Sequence, residues 1–112
     1  MTSQWIPVCP LSDVLPDTGV CALVNNNQVA IFRESGSDQL YAIDNYDPIG
    51  KANVLSRGLL AHLKDQLTVA SPLYKHHFRL TDGVCLEDTE VKVATYPVRV
   101  EQDQVLVGIS GE

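Results

Sequence analysis

The chain has 112 residues, 45% of them apolar, which suits one domain spanning residues 1–112. Its formal net charge is −6, and lysine and arginine form no stripe, so nucleic acid is an unsuitable partner. No segment approaches the roughly 20 apolar residues of a membrane span, and the first residues do not form a signal sequence. We therefore expect a cytoplasmic protein that does not contact membranes.

In chain order, Ser12–Leu15 is at most one helical turn, because Pro16 ends it. Alternation of apolar and polar residues then predicts a series of short strands, with turn-forming residues between them. These strands are expected at residues 20–24, 28–32, 40–43, 67–70, 91–94, 98–101 and 105–107. Two long irregular loops, 47–66 and 71–77, flank one of the strands. The pattern predicts an all-β fold, an antiparallel β-sandwich or small barrel, with function in the two loops.

Known catalytic and nucleotide-binding motifs are missing from the sequence. It contains no glycine-rich phosphate loop, no nucleophile elbow and no metalloprotease helix motif, so we expect no catalytic residue in this chain. Cys9, Cys21 and Cys85 are odd in number and stand among apolar neighbours. They are interpreted as reduced, partly buried thiols without a disulfide.

His62, His76 and His77 are the candidate metal ligands. Neighbouring residues of an extended chain point to opposite faces, so His76 and His77 are poorly placed to bind one ion. A solvated or hydrogen-bonding role in a loop is favoured, and no metal is expected.

Asp44 and Asp47 could form a carboxylate pair for acid–base chemistry. Such a pair needs burial or a charged partner to separate its two pKa values, and the sequence shows neither. An exposed turn is the preferred interpretation for both residues.

The order of strands and loops, with the segments 42–47 and 69–75, resembles the Rieske fold. Residues 78–83 are similar to the strand and glycine turn that follow the second cluster loop of that fold, and residues 96–100 to its terminal hairpin. In Rieske proteins, two cysteines and two histidines of these loops hold a [2Fe–2S] cluster. The resemblance places Asn45, Asp47, Ser71 and Tyr74 at the four ligand positions, and it therefore implies a degenerate site without a cluster or other metal.

Two loop segments, 50–58 and 71–75, are similar to the small subunit of bacterial cytoplasmic NADH-dependent nitrite reductase. The chain is identified as a member of that family. The resemblance implies a complex that reduces nitrite to ammonium in nitrate assimilation, with FAD, siroheme and a [4Fe–4S] cluster on the large subunit. This chain would carry no cofactor and would act by association with that subunit.

Two other functions stay open: a stand-alone Rieske-type ferredoxin that carries electrons, and an independent protein-binding module. The loops are expected to form the partner interface, with an apolar centre and a cationic rim. A sheet face or the turn at residues 25–27 is the alternative docking face. The predicted interface residues are Pro48, Ile49, Leu73, Tyr74, Lys75, His76 and His77.

Overall fold

The computed structural model describes residues 4–37, 39–63, 65–73 and 75–109. Tyr74, a predicted ligand-position and interface residue, lies outside the described residues. Short 3₁₀ helices occupy Leu11–Asp13 and Leu55–Arg57. The strands are β1 (Gln4–Pro10), β2 (Gly19–Val24), β3 (Asn27–Arg33), β4 (Leu40–Asp44), β5 (Tyr46–Asp47), β6 (Ala52–Asn53), β7 (Leu59–Leu63), β8 (Gln66–Ala70), β9 (His77–Arg79), β10 (Thr95–Tyr96), β11 (Val98–Glu101) and β12 (Gln104–Ile109).

The fold has three layers of antiparallel sheet. The middle sheet has the order β10-β4-β3-β2, and the outer sheets have the orders β1-β12-β11 and β7-β8-β9. Four consecutive residues of β3, 29–32, are fully buried, because an outer sheet covers each face of this strand. The prediction of an all-β antiparallel fold is confirmed. No helix in the described ranges is long and apolar enough to cross a membrane.

Two apolar clusters fill the spaces between the layers. One cluster joins Ala30 and Phe32 of β3 to Val69 of β8 and Phe78 of β9. The other joins the opposite face of β3 to Val105 and Val107 of β12. Because side chains of a strand alternate between faces, β3 contributes to both clusters.

Six of the seven predicted strands are confirmed, and the prediction at residues 91–94 is wrong. That segment makes an isolated bridge, from Lys92 to Val84, and scattered backbone hydrogen bonds with Gly83, Cys85 and Asp44, but no continuous ladder in the described part of the chain. The short 3₁₀ helix at Leu11–Asp13 matches the predicted helical turn. The sequence pattern missed β1, and the supposedly irregular segment 47–66 contains most of a hairpin, a 3₁₀ helix and β7.

The secondary structure inside the first loop, 47–66, brings that loop against the second loop, 71–77, at one end of the fold. β5 pairs with β6 as a small hairpin, and β7 pairs with β8 directly before the second loop begins. Gly58 permits this approach, because a Cβ there would overlap the carbonyl oxygen of Ala70 and lie 2.6 Å from Cγ2 of Val69. Leu55, the first residue of the second 3₁₀ helix, is fully buried and anchors the segment in the core.

A buried hydrogen-bond network between the two loops

Asn45 fixes the start of the first loop. It is buried, and its backbone N–H donates to the carbonyl of Gln28 at 2.9 Å. Its side-chain oxygen accepts from the backbone N–H of Ser56 at 2.7 Å, and its amide nitrogen donates to Oε1 of Gln28 at 3.0 Å. Nδ2 also lies 3.5 Å from Sγ of Cys21. Asn45 is thus a structural brace between the middle sheet and the second 3₁₀ helix.

Asp47 is the centre of the site and is completely buried. Its Oδ1 accepts the backbone N–H groups of Ile49 at 2.9 Å and Gly50 at 3.1 Å, and its own carbonyl accepts the N–H of Lys51. This turn is typical of aspartate, whose carboxylate can hydrogen-bond the backbone that follows it. The first loop therefore aims one carboxylate at the second loop.

The second loop supplies a hydroxyl and an imidazole that contact this carboxylate. Ser71 Oγ donates to Oδ2 of Asp47 at 2.6 Å, and Nε2 of His76 lies 2.9 and 3.0 Å from the two carboxylate oxygens. The His76 ring also packs edge-on against Phe78, with ring centroids 5.2 Å apart. The loop itself is closed by backbone hydrogen bonds from Ser71 to His76 and from Lys75 to Ser71.

The electrostatics of the network favour an ionised Asp47. Burial raises the pKa of the Asp47 carboxyl, but the hydrogen bonds from Ser71 and the neighbouring donors outweigh burial and leave the pKa below its usual range. A carboxylate only accepts hydrogen bonds, so Nε2 of His76 must carry the hydrogen that lies between them. The arrangement is a buried anion held by four donors.

Ser71, His76 and Asp47 are the residue types of a hydrolytic triad, but their hydrogen bonds connect them in the wrong order for nucleophilic chemistry. In a triad the histidine stands between the serine and the aspartate, whereas here Ser71 donates directly to Asp47. Ser71 and Asp47 are also buried and closed to a substrate. The chemistry that this geometry performs is structural, because it ties the first loop to the second.

The expectation of an exposed turn is wrong for Asp47, and the placement of His76 on a cationic rim is also wrong. No local sequence pattern indicates that residues 47 and 76 meet, because 29 positions separate them. The resemblance brings residues 47 and 71 together, since both are ligand positions of a Rieske fold, but it does not point to His76. His76 is 7% exposed and is too buried to contact a partner.

Each histidine has a carboxylate partner instead of a shared metal. Nε2 of His62 lies 2.9 Å from Glu34, and Nδ1 of His77 lies 2.7 Å from Glu87. His76 and His77 point to different sides, as expected for neighbours in an extended chain. Within the residues that the structure describes, no three acidic, cysteine or histidine side chains come together as a metal-binding group.

The cysteines are free thiols, which the sequence analysis predicted. Cys85 is buried in the core and Cys9 is half-buried, but Cys21 is exposed, so the expectation of burial is wrong for that residue. Desolvation raises the pKa of all three thiols, which disfavours the reactive thiolate.

The surface of the two loops is partly apolar. Ile49 and Leu73 are exposed, Pro48 is half-buried, and Lys75 is exposed beside them. Leu73 lies against Gly50, where an added Cβ would come within 2.5 Å of its Cδ1. The loops therefore touch through this apolar contact as well as through the buried network.

Comparison with known proteins identifies the family. A model described as the Rieske-like [2Fe-2S] domain matches residues 4–108. The NADH nitrite reductase small subunit of Escherichia coli K12 is 52% identical over 103 residues, covering 92% of this chain and 95% of that protein. The chain belongs to this small-subunit family. Both resemblances drawn from the loop sequences, to the Rieske fold and to this family, are thereby confirmed.

Two further family comparisons bear on structure and organisation. The solution structure of the nitrite reductase [NAD(P)H] small subunit from Erwinia carotovora has a TM-score of 0.82 and 53% identity, covering 98% of this chain and 85% of that one. A stretch of the nitrite reductase [NAD(P)H] large subunit of Klebsiella oxytoca is 42% identical over 104 residues, covering 93% of this chain but 11% of that protein.

Proposed function

We propose that this chain is the non-catalytic small subunit of a cytoplasmic NADH-dependent nitrite reductase, which reduces nitrite to ammonium in nitrate assimilation. The observation that carries the proposal is the 52% identity to the E. coli small subunit along nearly the whole of both chains. The large subunit would carry FAD, siroheme and the [4Fe–4S] cluster. The chain would act as one domain, by association with that subunit.

The residues at the Rieske ligand positions do not fit a [2Fe–2S] cluster. A Rieske cluster needs two thiolates and two imidazoles, and positions 45, 47 and 71 offer an amide, a carboxylate and a hydroxyl. Ser71 and Asp47 are 2.6 Å apart and hydrogen-bonded to each other, so each already satisfies the other inside the fold. Tyr74, at the fourth position, supplies a phenol. The same argument disfavours a ferredoxin-type electron carrier.

The Klebsiella relative supports association with a large subunit. In that protein, named as a large subunit, a segment similar to this chain is part of a polypeptide about nine times as long. A domain that shares a polypeptide with its partner has a high effective concentration for contact with it. By analogy, we propose that this chain docks on a separate large subunit. This organisation disfavours an independent binding module.

We place the docking face at the end of the fold where the two loops meet. Ile49 and Leu73 would form its apolar centre, with Pro48 beside them and Lys75 and His77 at the rim. Tyr74 lies between these residues in sequence and stays a predicted member. His76 is left out because it is buried in the Asp47 network.

Co-purification tests the association. A tagged copy of this chain, co-expressed with the large subunit, should retain a protein with flavin and siroheme absorption, and the untagged chain is the matched control. Elution of the tagged chain alone, while the large subunit is intact and active, would contradict the proposal.

Iron analysis tests the proposal that this chain holds no [2Fe–2S] cluster. The chain alone should be colourless and should bind no stoichiometric iron or acid-labile sulfide after anaerobic reconstitution. About two irons and two sulfides per chain, with a Rieske-type paramagnetic signal, would show instead that this chain is a redox carrier.

A further inference from the structure

A surface groove runs beside the second loop, between the start of β7 and the end of β8. Its volume is about 540 Å³, and its floor is apolar, formed by Leu59, Ala70 and Pro72. Arg57 and Lys75 stand among its lining residues. We call this feature the Arg57–Lys75 groove. It shares Lys75 and His77 with the proposed docking face but also includes residues of β7 and β8.

The two cations of the groove lack acidic partners. Within the described ranges, no carboxylate lies in ion-pair distance of Arg57 or Lys75, whereas Arg79 pairs with Asp82 and Arg99 pairs with Glu101. His77 also lines the groove, but its ring is hydrogen-bonded to Glu87, so it is not a third cation without a carboxylate partner. A local excess of positive charge therefore exists in a chain whose formal net charge is −6.

Leu59 gives the groove an exposed apolar element. Its side chain is 76% exposed, the highest value among the large exposed hydrophobic residues. It begins β7, which is an edge strand of its sheet. A single exposed leucine is ordinary, but one that lines the same groove as two cations without a carboxylate partner among the described residues has the composition of a binding site for an amphipathic segment.

We infer that the Arg57–Lys75 groove binds an acidic segment of the large subunit, with an apolar side chain on Leu59 and Pro72 and carboxylates on Arg57 and Lys75. This inference rests on the proposed function, since it names the partner chemistry of the docking face. Two exposed cations on an apolar surface attract the carboxylates of an acidic partner segment. The apolar floor separates this ligand from a free inorganic anion, which would gain nothing from it.

Binding of the purified large subunit, titrated against variants of the full-length small subunit, tests the inference. Arg57→Glu with Lys75→Glu reverses the groove charge, and Lys92→Glu is the matched control, because Lys92 is an exposed cation outside the groove. The double variant should bind roughly tenfold more weakly or worse, and the control should bind like wild type. The wild-type affinity should also fall more steeply with added salt than that of the double variant.

A second pair of variants, one in the groove and one control, tests the apolar contact of Leu59. Leu59→Ser should weaken binding several-fold, whereas Leu23→Ser changes another highly exposed leucine, on β2, and should not. Circular dichroism should show both variants folded, because neither side chain is buried.

The outcomes separate the inference from the proposed function. Wild-type binding with unaffected groove variants would overturn the groove and leave the association standing. Failure of the wild type to bind would overturn both. Self-association of the isolated chain that is lost in Arg57→Glu with Lys75→Glu would also overturn the inference, since the occupant would then be the acidic surface of a second copy.

Discussion

Replacement of Asp47 by alanine should remove the link between the two loops. The carboxylate is completely buried and accepts hydrogen bonds from Ser71, His76, and the backbone N–H groups of Ile49 and Gly50. Alanine leaves the buried Ser71 hydroxyl and the buried His76 ring N–H without an acceptor, and it also removes the acceptor of the two backbone N–H groups. Each buried donor left without an acceptor costs about 1–3 kcal/mol, so a total loss of about 3–5 kcal/mol is expected. A domain of this size has roughly 5–15 kcal/mol of stability, so Asp47→Ala should lose a large part of it.

Urea unfolding followed by circular dichroism measures this loss. With a slope of about 2 kcal/mol per molar urea, the midpoint should fall by about 2 M. Ser71→Ala removes only one charge-assisted hydrogen bond and should cost less, about 1.5–3 kcal/mol. Asp44→Ala is the matched control, because the Asp44 carboxylate accepts an exposed hydrogen bond of 3.3 Å from Tyr46 N–H, and the loss should stay below about 1 kcal/mol.

The result that refutes this reasoning is a small effect at the centre of the network. If Asp47→Ala shifted the midpoint no more than Asp44→Ala, the loops would be held by other contacts, such as the one between Leu73 and Gly50. A loss from Ser71→Ala larger than that from Asp47→Ala would also contradict the assignment of Asp47 as the shared acceptor.

The remaining predictions concern pH and packing. The folded-state pKa of Asp47 is below its ordinary value of 3.8, so its contribution to stability is present above that value and is lost as the pH falls through the folded pKa. Urea midpoints measured from about pH 7 to about pH 3 should therefore fall more for wild type than for Asp47→Asn, and equal slopes would count against a lowered pKa. Gly58→Ala should destabilise by about 1–3 kcal/mol or more, because the added Cβ meets Val69 and the carbonyl oxygen of Ala70. An unchanged melting temperature for that variant would show that β7 and β8 can separate there without cost.

Much of the sheet structure could be predicted because its signals are local. The alternation at 20–24 and the turn at 25–27 lead directly to the β2–β3 hairpin, whose register pairs Val24 with Asn27. The segment 91–94 has the same alternation and is no strand, because its bridge from Lys92 to Val84 and its backbone hydrogen bonds form no continuous ladder. Alternation identifies the capacity to pair, and the tertiary fold decides whether a partner is there.

The candidate site was predictable in position but not in chemistry. The resemblance brought positions 45, 47 and 71 to one end of the fold, where the structure places them. The resemblance did not predict that Asp47 is a buried anion. Asp47 becomes buried and meets His76 only when two segments 29 positions apart come together in the fold. A polar residue in a loop sequence is ordinarily interpreted as exposed. Asp47 departs from that rule because both oxygens of its carboxylate accept hydrogen bonds from donors within 3.1 Å.

The Asp47 network and a Rieske cluster meet the same structural need by different chemistry. A cluster joins two loops through metal bonds, whereas here a carboxylate from the first loop binds a hydroxyl and an imidazole from the second. A buried polar network stabilises a fold only when all its members are satisfied, and among the described residues no buried side-chain polar atom lacks a partner. The hydrogen bonds of this link join protein groups directly. A subunit that acts by association needs a docking face of constant shape, and this network supports the proposed face from directly beneath.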